Sequence, residues 1–299
     1  MLESPMFDNE VSSFFRKIIK ETVEYRRTNH IERPDMLHLL MHAKKRTPKT
    51  NESINTEEGN AIDRNHFKFN EQQADTSVGL SLEDITSQAI FFFFAGYDTV
   101  ATVLCFMSYE LAINPHIQQK LIEELDEFRP KNNLLTNDSL SKLTYLDMVL
   151  SETLRKWSPN VIIDRQCVKQ YEIQPEHPDE KSVNLTTDDV LWIPIWALHH
   201  DPKYWNKPDE FDPERFSPRN KNKIIPYTYL PFGIGARNCI GSRFVLMEVK
   251  TFFYGLLEHF TIVPIRKSTI PVKLKKETFF VDSKDGFWFG LKKRDTRNL

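Results

Sequence analysis

The pattern of apolar and polar positions divides the chain into a helical first half and a mixed second half. Val11, Phe14, Phe15, Ile18, Ile19 and Val23 recur at steps of three and four, drawing an apolar stripe along one side of a helix with charges opposite. A second, short helix is predicted after Pro34, whose ring suits a first turn, through Met36 to Ala43. Residues 44–79 are polar, charged and poor in periodic apolar positions, which predicts a mobile surface loop. Ser81 then opens the longest predicted helix, a serine N-cap with Asp84 in the first turn, where a negative charge suits the helix dipole. That helix runs from Leu82 to about Ile113. Around Ala89 to Phe94 it is apolar on nearly all sides, which predicts burial through the centre of the fold.

After Asn114-Pro115 a charged amphipathic helix is predicted to about Phe128, and another over Asp147 to Trp157. Val161 to Val168, Tyr171 to Gln174 and Val190 to Pro194 are β-rich and bounded by proline, aspartate or charged turns, so a small sheet is expected. Ile240 to Leu257 returns to helix. Thr261 to Lys292 alternates, with Asp285-Gly286 as a hairpin turn between Phe279-Phe280-Val281 and Phe287-Trp288-Phe289. The fold class that follows is mainly α with small β-sheets.

Composition narrows the picture only at the edges. With 299 residues, 40% of them hydrophobic, the chain can bury a large core in one or two domains. A net charge of -2 removes the electrostatic footprint of a nucleic-acid binder. Cys105, Cys167 and Cys239 cannot all pair, and their scatter fits a reducing compartment, with Cys105 and Cys167 simply structural. Met1 to Glu10 is acidic where a secretory leader is basic and then apolar. The most apolar segment, Ala89 to Tyr97, is too short to cross a bilayer and is followed by Asp98, so the chain reads as soluble or at most peripheral.

Candidate chemistry concentrates at Phe232 to Gly241, FGIGARNCIG. Gly233, Gly235 and Gly241 let the backbone turn sharply and approach a flat group closely, with amide N–H groups aimed back at a sulfur. Arg237 and the start of the following helix favour the thiolate of Cys239. Taken alone, Cys239 is better read as an ordinary buried cysteine. A nucleophilic cysteine is a further alternative, although no Cys-His signature surrounds it. Elsewhere, Ala95 to Thr99 reads AGYDT, and an aspartate and a threonine in so apolar a helix are costly unless partnered or used. A back-bonded hydroxyl and a solvated carboxylate would also account for them. In ETLR, Glu152 and Arg155 share one helix face, and FDPERF offers Arg215 as a third partner for a buried pair.

Taken together, these motifs resemble the cytochrome P-450 family. Phe232, Gly235, Arg237, Cys239 and Gly241 match every fixed position of its haem-binding loop, Phe-x-x-Gly-x-Arg-x-Cys-x-Gly, and AGYDT matches the oxygen-activation motif of its long central helix. ETLR and PERF resemble its Glu-x-x-Arg motif and the arginine completing that triad. The resemblance implies the C-terminal portion of the family's fold, with haem b held by the Cys239 thiolate and Phe232 and Gly233 beside the ring. It implies that Gly96 leaves room for dioxygen, that Thr99 hydrogen-bonds it, that Asp98 relays protons and that Ala95 lies against cofactor and substrate. Arg165 and Arg237 would pair with haem propionates, an arginine fork suiting a carboxylate. Glu152, Arg155 and Arg215 would be scaffold, while Ile90, Phe91, Phe94, Val161, Ile162 and Phe279 would contact a lipophilic substrate. His199 and His200, in HHDPKYW, match a segment without a ligand role and are expected at the surface or as caps.

The wording ETLRKWSP, DPKYW, FDPERFSP and PYTYLPFGIGARNCIGSRF is similar to insect microsomal members of the detoxification type. Ala236 and Ser158 stand where that subgroup commonly has proline. The implied partners are NADPH-cytochrome P-450 reductase, with cytochrome b5 as a further candidate donor, O2 and a lipophilic small molecule. The implied place of a full-length member is the cytoplasmic face of the endoplasmic reticulum membrane. In family terms the chain divides into early helices (1–43), a loop (44–79), a helical core (80–157), sheet and meander (158–220), haem-binding loop and helix (221–260) and terminal hairpins (261–299). A complete member is longer at the N-terminal side. The chain as written is therefore expected to bind haem weakly or not at all alone, with an inactive truncated fragment as the alternative to a monooxygenase.

Overall fold

The computed structural model describes residues 8–43, 79–128, 135–276, 278 and 280–295. The expected loop over 44–79 lies outside these residues except for Gly79. Two compact units are formed, residues 1–95 and 96–299.

The first unit holds α1 (Asn9–Thr28), α2 (Met36–His42) and the opening turns of α3 (Leu82–Ile113). α2 starts at Met36 with Asp35 as its cap, so Pro34 precedes the helix and does not form its first turn. The Asp35 carboxylate has two tasks. It accepts from His38 N (2.9 Å) and takes the fork of buried Arg26 at 2.8 and 2.7 Å. The Arg26 guanidinium holds the Asp35 carboxyl down at about 2, below the usual range. At the start of α3, Ser81 Oγ accepts from Asp84 N (3.1 Å) and Asp84 Oδ2 accepts from Ser81 N (3.0 Å), a reciprocal capping box.

The expected burial of α3 on all sides does not hold. Phe91 and Phe93 are 61% and 54% exposed, although Phe93 meets the Phe15 ring with centroids 5.1 Å apart. A helix apolar all round needs neighbours all round, and among the described residues of this unit α1 and α2 leave those two rings exposed. By length and composition α3 is also long and apolar enough to cross a membrane.

In the second unit the remainder of α3 behaves as a core helix. Its Val100, Val103, Met107 and Leu111 belong to one buried cluster with residues of α4 (Pro115–Glu127), α6 (Thr144–Lys156) and α8 (Ser242–His259). Among the described residues this unit also holds the short helices α5 (Asn137–Leu140) and α7 (Ile195–His200). Phe106 stacks on Trp157 at 4.4 Å, and Trp157 Nε1 donates to the buried Glu110 carboxylate (2.7 Å). Lys156 Nζ (2.9 Å) and Asn114 Nδ2 (3.0 Å) complete that carboxylate's bonds, as a buried charge requires.

Among the described residues three two-stranded antiparallel sheets accompany the helices. β1 (Ile163–Gln166) pairs with β4 (Val190–Ile193), and β2 (Tyr171–Ile173) with β3 (Val183–Leu185), a strand the apolar pattern does not predict. β5 (Phe260–Pro264) pairs with β6 (Phe289–Lys293) in the register Ile262↔Leu291. This corrects the expected terminal hairpin. Gly286, at φ +72°, turns the chain, but Phe289 goes on to pair with Pro264 of β5. Alternation marks a strand without naming its partner, and here the partner lies far back in sequence.

On the other edge of β5 the Gln118 side chain acts as a strand would. Its Oε1 accepts from Ile262 N (2.7 Å), and its Nε2 donates to Ile262 O and Leu111 O (2.9 Å each). Gln118→Leu keeps the size but orphans buried backbone groups, so the folded state should lose about 2 kcal/mol. Urea unfolding midpoints of the two proteins measure this.

Candidate functional site

The segment 230–241 is shaped by its glycines and by two backbone bonds. Gly233 and Gly235 have φ of +67° and +77°, where a Cβ costs roughly 1–2 kcal/mol. Gly233 N donates to Leu230 O (3.1 Å), a single 3-10 turn covers Gly235–Arg237, and Cys239 N donates to Phe232 O (2.8 Å), closing the loop on itself. α8 begins only at Ser242 with Gly241 as its cap, so Cys239 stands before the helix; the expected helical start at Ile240 is two residues early. Cys239 is a free thiol and exposed. At Gly241 a Cβ would stand 4.0 Å from the Cys239 sulfur.

The loop has a packed side and an open side. Phe232 packs against the main core, while Ile234, Ile240 and Phe244 are exposed, Ile240 by 84%. A Cβ at Gly233 would meet Ile163 Cδ1 at 3.8 Å, which sets β1 beside the loop. Side chains two apart on a strand share a face, so half-buried Arg165 lies on the face of β1 that carries Ile163. Its Nη1 donates to Asp164 O (2.7 Å). Arg237 is exposed within the 3-10 turn.

Glu152, Arg155 and Arg215 come together. Glu152 and Arg155 are fully buried, with Arg155 Nε 2.7 Å and Nη2 2.8 Å from the two carboxylate oxygens. Arg215 Nε (3.3 Å) and Asp212 N (2.9 Å) also reach Glu152 Oε1. The remaining Arg155 donors go to His199 O and Pro208 O (2.7 Å each), and those of Arg215 to Asn206 O (2.6 Å) and Lys207 O (2.9 Å). Burial pushes the Glu152 carboxyl up, and the Arg155 fork pulls against it.

His199 is the residue the sequence reading misses. It is not at the surface: its relative exposure is 0%. One ring nitrogen, Nδ1, is 3.1 Å from Arg155 O, and the other, Nε2, accepts from Leu230 N (2.9 Å). Burial drives its pKa down to about 4. The signal available in the sequence was the apolar run Ile195-Trp196-Ala197-Leu198 leading into it. His200, half-buried, stacks on Trp196 at 4.4 Å.

The AGYDT segment spans the boundary between the units. Ala95 belongs to the first unit; Gly96, Asp98 and Thr99 belong to the second and are half-buried. A Cβ on Gly96 would meet nothing within 4 Å, and Thr102 Oγ1 donates to Asp98 O (2.9 Å). Ile90, Phe91 and Phe94 lie in the first unit, Val161 and Ile162 in the second. Phe279 lies outside the described residues. A hollow of about 250 Å³ is lined by Val161, Trp196, Leu274, Phe280 and Val281. Another, of about 480 Å³, lies between α4 and β5 and holds no ionisable side chain in its lining.

A family model for cytochrome P-450 matches residues 6–288. The chain is 44% identical over 294 residues to cytochrome P-450 9e2 of Blattella germanica, covering 98% of this chain and 52% of that protein. It is 37% identical to probable cytochrome P-450 9f2 of Drosophila melanogaster, covering 99% and 53%. Against cytochrome P-450 3A16 of Mus musculus the identity is 37%, covering 93% and 49%. The chain spans about half the length of the curated relatives it matches.

Two outcomes follow from this geometry. Glu152→Ala strands a buried guanidinium and should cost about 3–5 kcal/mol in urea unfolding. His199 stays neutral in the folded chain down to about pH 4, whereas the unfolded chain protonates it near 6.5. Stability should therefore fall as pH drops through that window, by about 2 kcal/mol between pH 7 and pH 5 from this group. Unfolding midpoints measured across that range, with His199→Asn flattening the slope, check it.

Proposed function

Because the chain belongs to the cytochrome P-450 family, we propose that it serves as a haem-thiolate monooxygenase, inserting one atom of O2 into a lipophilic small molecule, xenobiotic or endogenous. The observation that carries this reading is the cysteine loop, where left-handed Gly233 and Gly235 and the bond from Cys239 N to Phe232 O hold an exposed thiol ahead of α8. The donor set fits the cofactor. Among the described residues no group of three or more His, Cys, Asp or Glu could hold a metal ion. A solitary thiolate suits a metal whose remaining ligands arrive with the cofactor, as in haem. When bound, that group supplies an iron whose thiolate ligand favours O–O cleavage.

The chain's own residues would divide the remaining work. Cys239 provides the sulfur, Phe232 and Gly233 an apolar wall with close backbone approach, and Arg165 and Arg237 donors for the propionates. Thr99 would hold a proton donor's position and Asp98 would move a proton towards it, while Gly96 leaves space and Ala95 lies against cofactor and substrate. Ile90, Phe91, Phe94, Val161, Ile162 and Phe279 would bury an apolar substrate. Electrons would come from NADPH-cytochrome P-450 reductase, with cytochrome b5 as a further donor, at the cytoplasmic face of the endoplasmic reticulum membrane.

A second reading is that this chain alone retains haem poorly and is inactive. Haemin added in excess, followed by reduction and carbon monoxide, tests both readings. A weak thiolate-type Soret band that Cys239→Ser abolishes is the expected result. A band indifferent to that substitution refutes the ligand assignment, and no thiolate band in either protein supports the second reading.

A further inference from the structure

We propose that His199 is the positioning residue of the cysteine loop, its Nδ1–H tautomer tying the carbonyl of Arg155 to the amide of Leu230. The polarity of its two partners fixes that tautomer. A carbonyl oxygen only accepts, so Nδ1, 3.1 Å from Arg155 O, carries the proton; a backbone N–H only donates, so Nε2, 2.9 Å from Leu230 N, is bare. Arg155 returns the bond through Nη1 to His199 O at 2.7 Å. His199 and Arg155 thus exchange donor and acceptor, and both are fully buried.

What makes this a positioning role is the place of Leu230. It is the residue whose carbonyl takes Gly233 N–H to open the loop, and two residues later Phe232 O takes Cys239 N–H to close it. The bonds therefore run from Glu152 through Arg155, His199 and Leu230 to the carbonyl that anchors Cys239. Tyr229 adds a second tie to the same strand of chain, its hydroxyl donating to Ser151 O (3.0 Å) while its ring lies 5.5 Å from the His199 ring. Burial above all, and then the Arg155 guanidinium and His200, disfavour a cation on the imidazole, which keeps Nε2 bare.

The inference rests on the monooxygenase reading only for its consequence, since the geometry is that of the chain itself. Its test therefore uses the 299-residue chain without haem. Nitrogen-15 spectra of labelled histidine should place the His199 proton on Nδ1, with a coupling across the hydrogen bond to the Leu230 amide; a proton on Nε2 overturns the proposal. His199→Leu should lower amide-exchange protection at Leu230 and Cys239 by about ten-fold or more while leaving Ile262, held by Gln118, unchanged. His199→Gln, which carries both a donor and an acceptor, should recover most of it. Unchanged protection at Cys239, or an equal loss at Ile262, overturns the role. If His199→Leu does not fold, the tautomer of the unaltered chain decides. Absence of a haem band would count against the monooxygenase reading and leave these readouts intact.

Discussion

The ion pair between Glu152 and Arg155 is sealed from water on both sides, and the path of the chain around it follows from that fact. Two desolvated charges cost several kcal/mol unless every remaining donor and acceptor finds a partner. Glu152 meets the demand with Arg155, Arg215 and the Asp212 amide, and Arg155 with the carbonyls of His199 and Pro208. Those partners come from α6, from α7 and from the irregular segment between α7 and the cysteine loop. A segment with little regular secondary structure is thus fixed by carbonyls aimed at two guanidinium groups. Such a pair contributes little net stability over a well-packed apolar substitute, and its effect is to specify one route among many.

What was legible in the sequence depended on whether the signal was local. Ser81 with Asp84, the stripe of α1 and the Glu152–Arg155 spacing are each written within four residues, and the helices they mark are present. The partner of β6 was not legible, because strand alternation is the same whichever strand receives it, and β5 lies beyond the turn at Gly286. The burial of α3 was misjudged for a similar reason: composition reports what a helix can bury, and neighbours decide what it does bury. His199 failed most instructively. A histidine pair before Asp201 has the look of a solvated helix end, and only the distant Arg155 and Leu230 turn it into an interior group.

The candidate site combines parts of opposite character. The support beneath it is dry and closely bonded, from Glu152 to Leu230, while the thiol and the apolar residues beside it face outward. The position of an exposed group of this kind is held by locked supporting side chains more than by the group itself. The loop adds stiffness of its own, since the left-handed positions at Gly233 and Gly235 admit few alternatives once the Cys239 amide is bound to Phe232. β1, touching the loop through Ile163, sets Arg165 on the same side as that contact.

The amide of Gln118 has a consequence away from the chemistry. β5 reads Phe-Thr-Ile-Val-Pro, an apolar strand in a sheet that has two strands among the described residues, and an open edge of that kind is a template for pairing with another chain. At Ile262, the middle of that edge, both backbone groups are already taken by one side chain. A single glutamine on α4 thereby acts as a guard against strand addition, so the same residue that completes a buried hydrogen-bond set also keeps the sheet from growing.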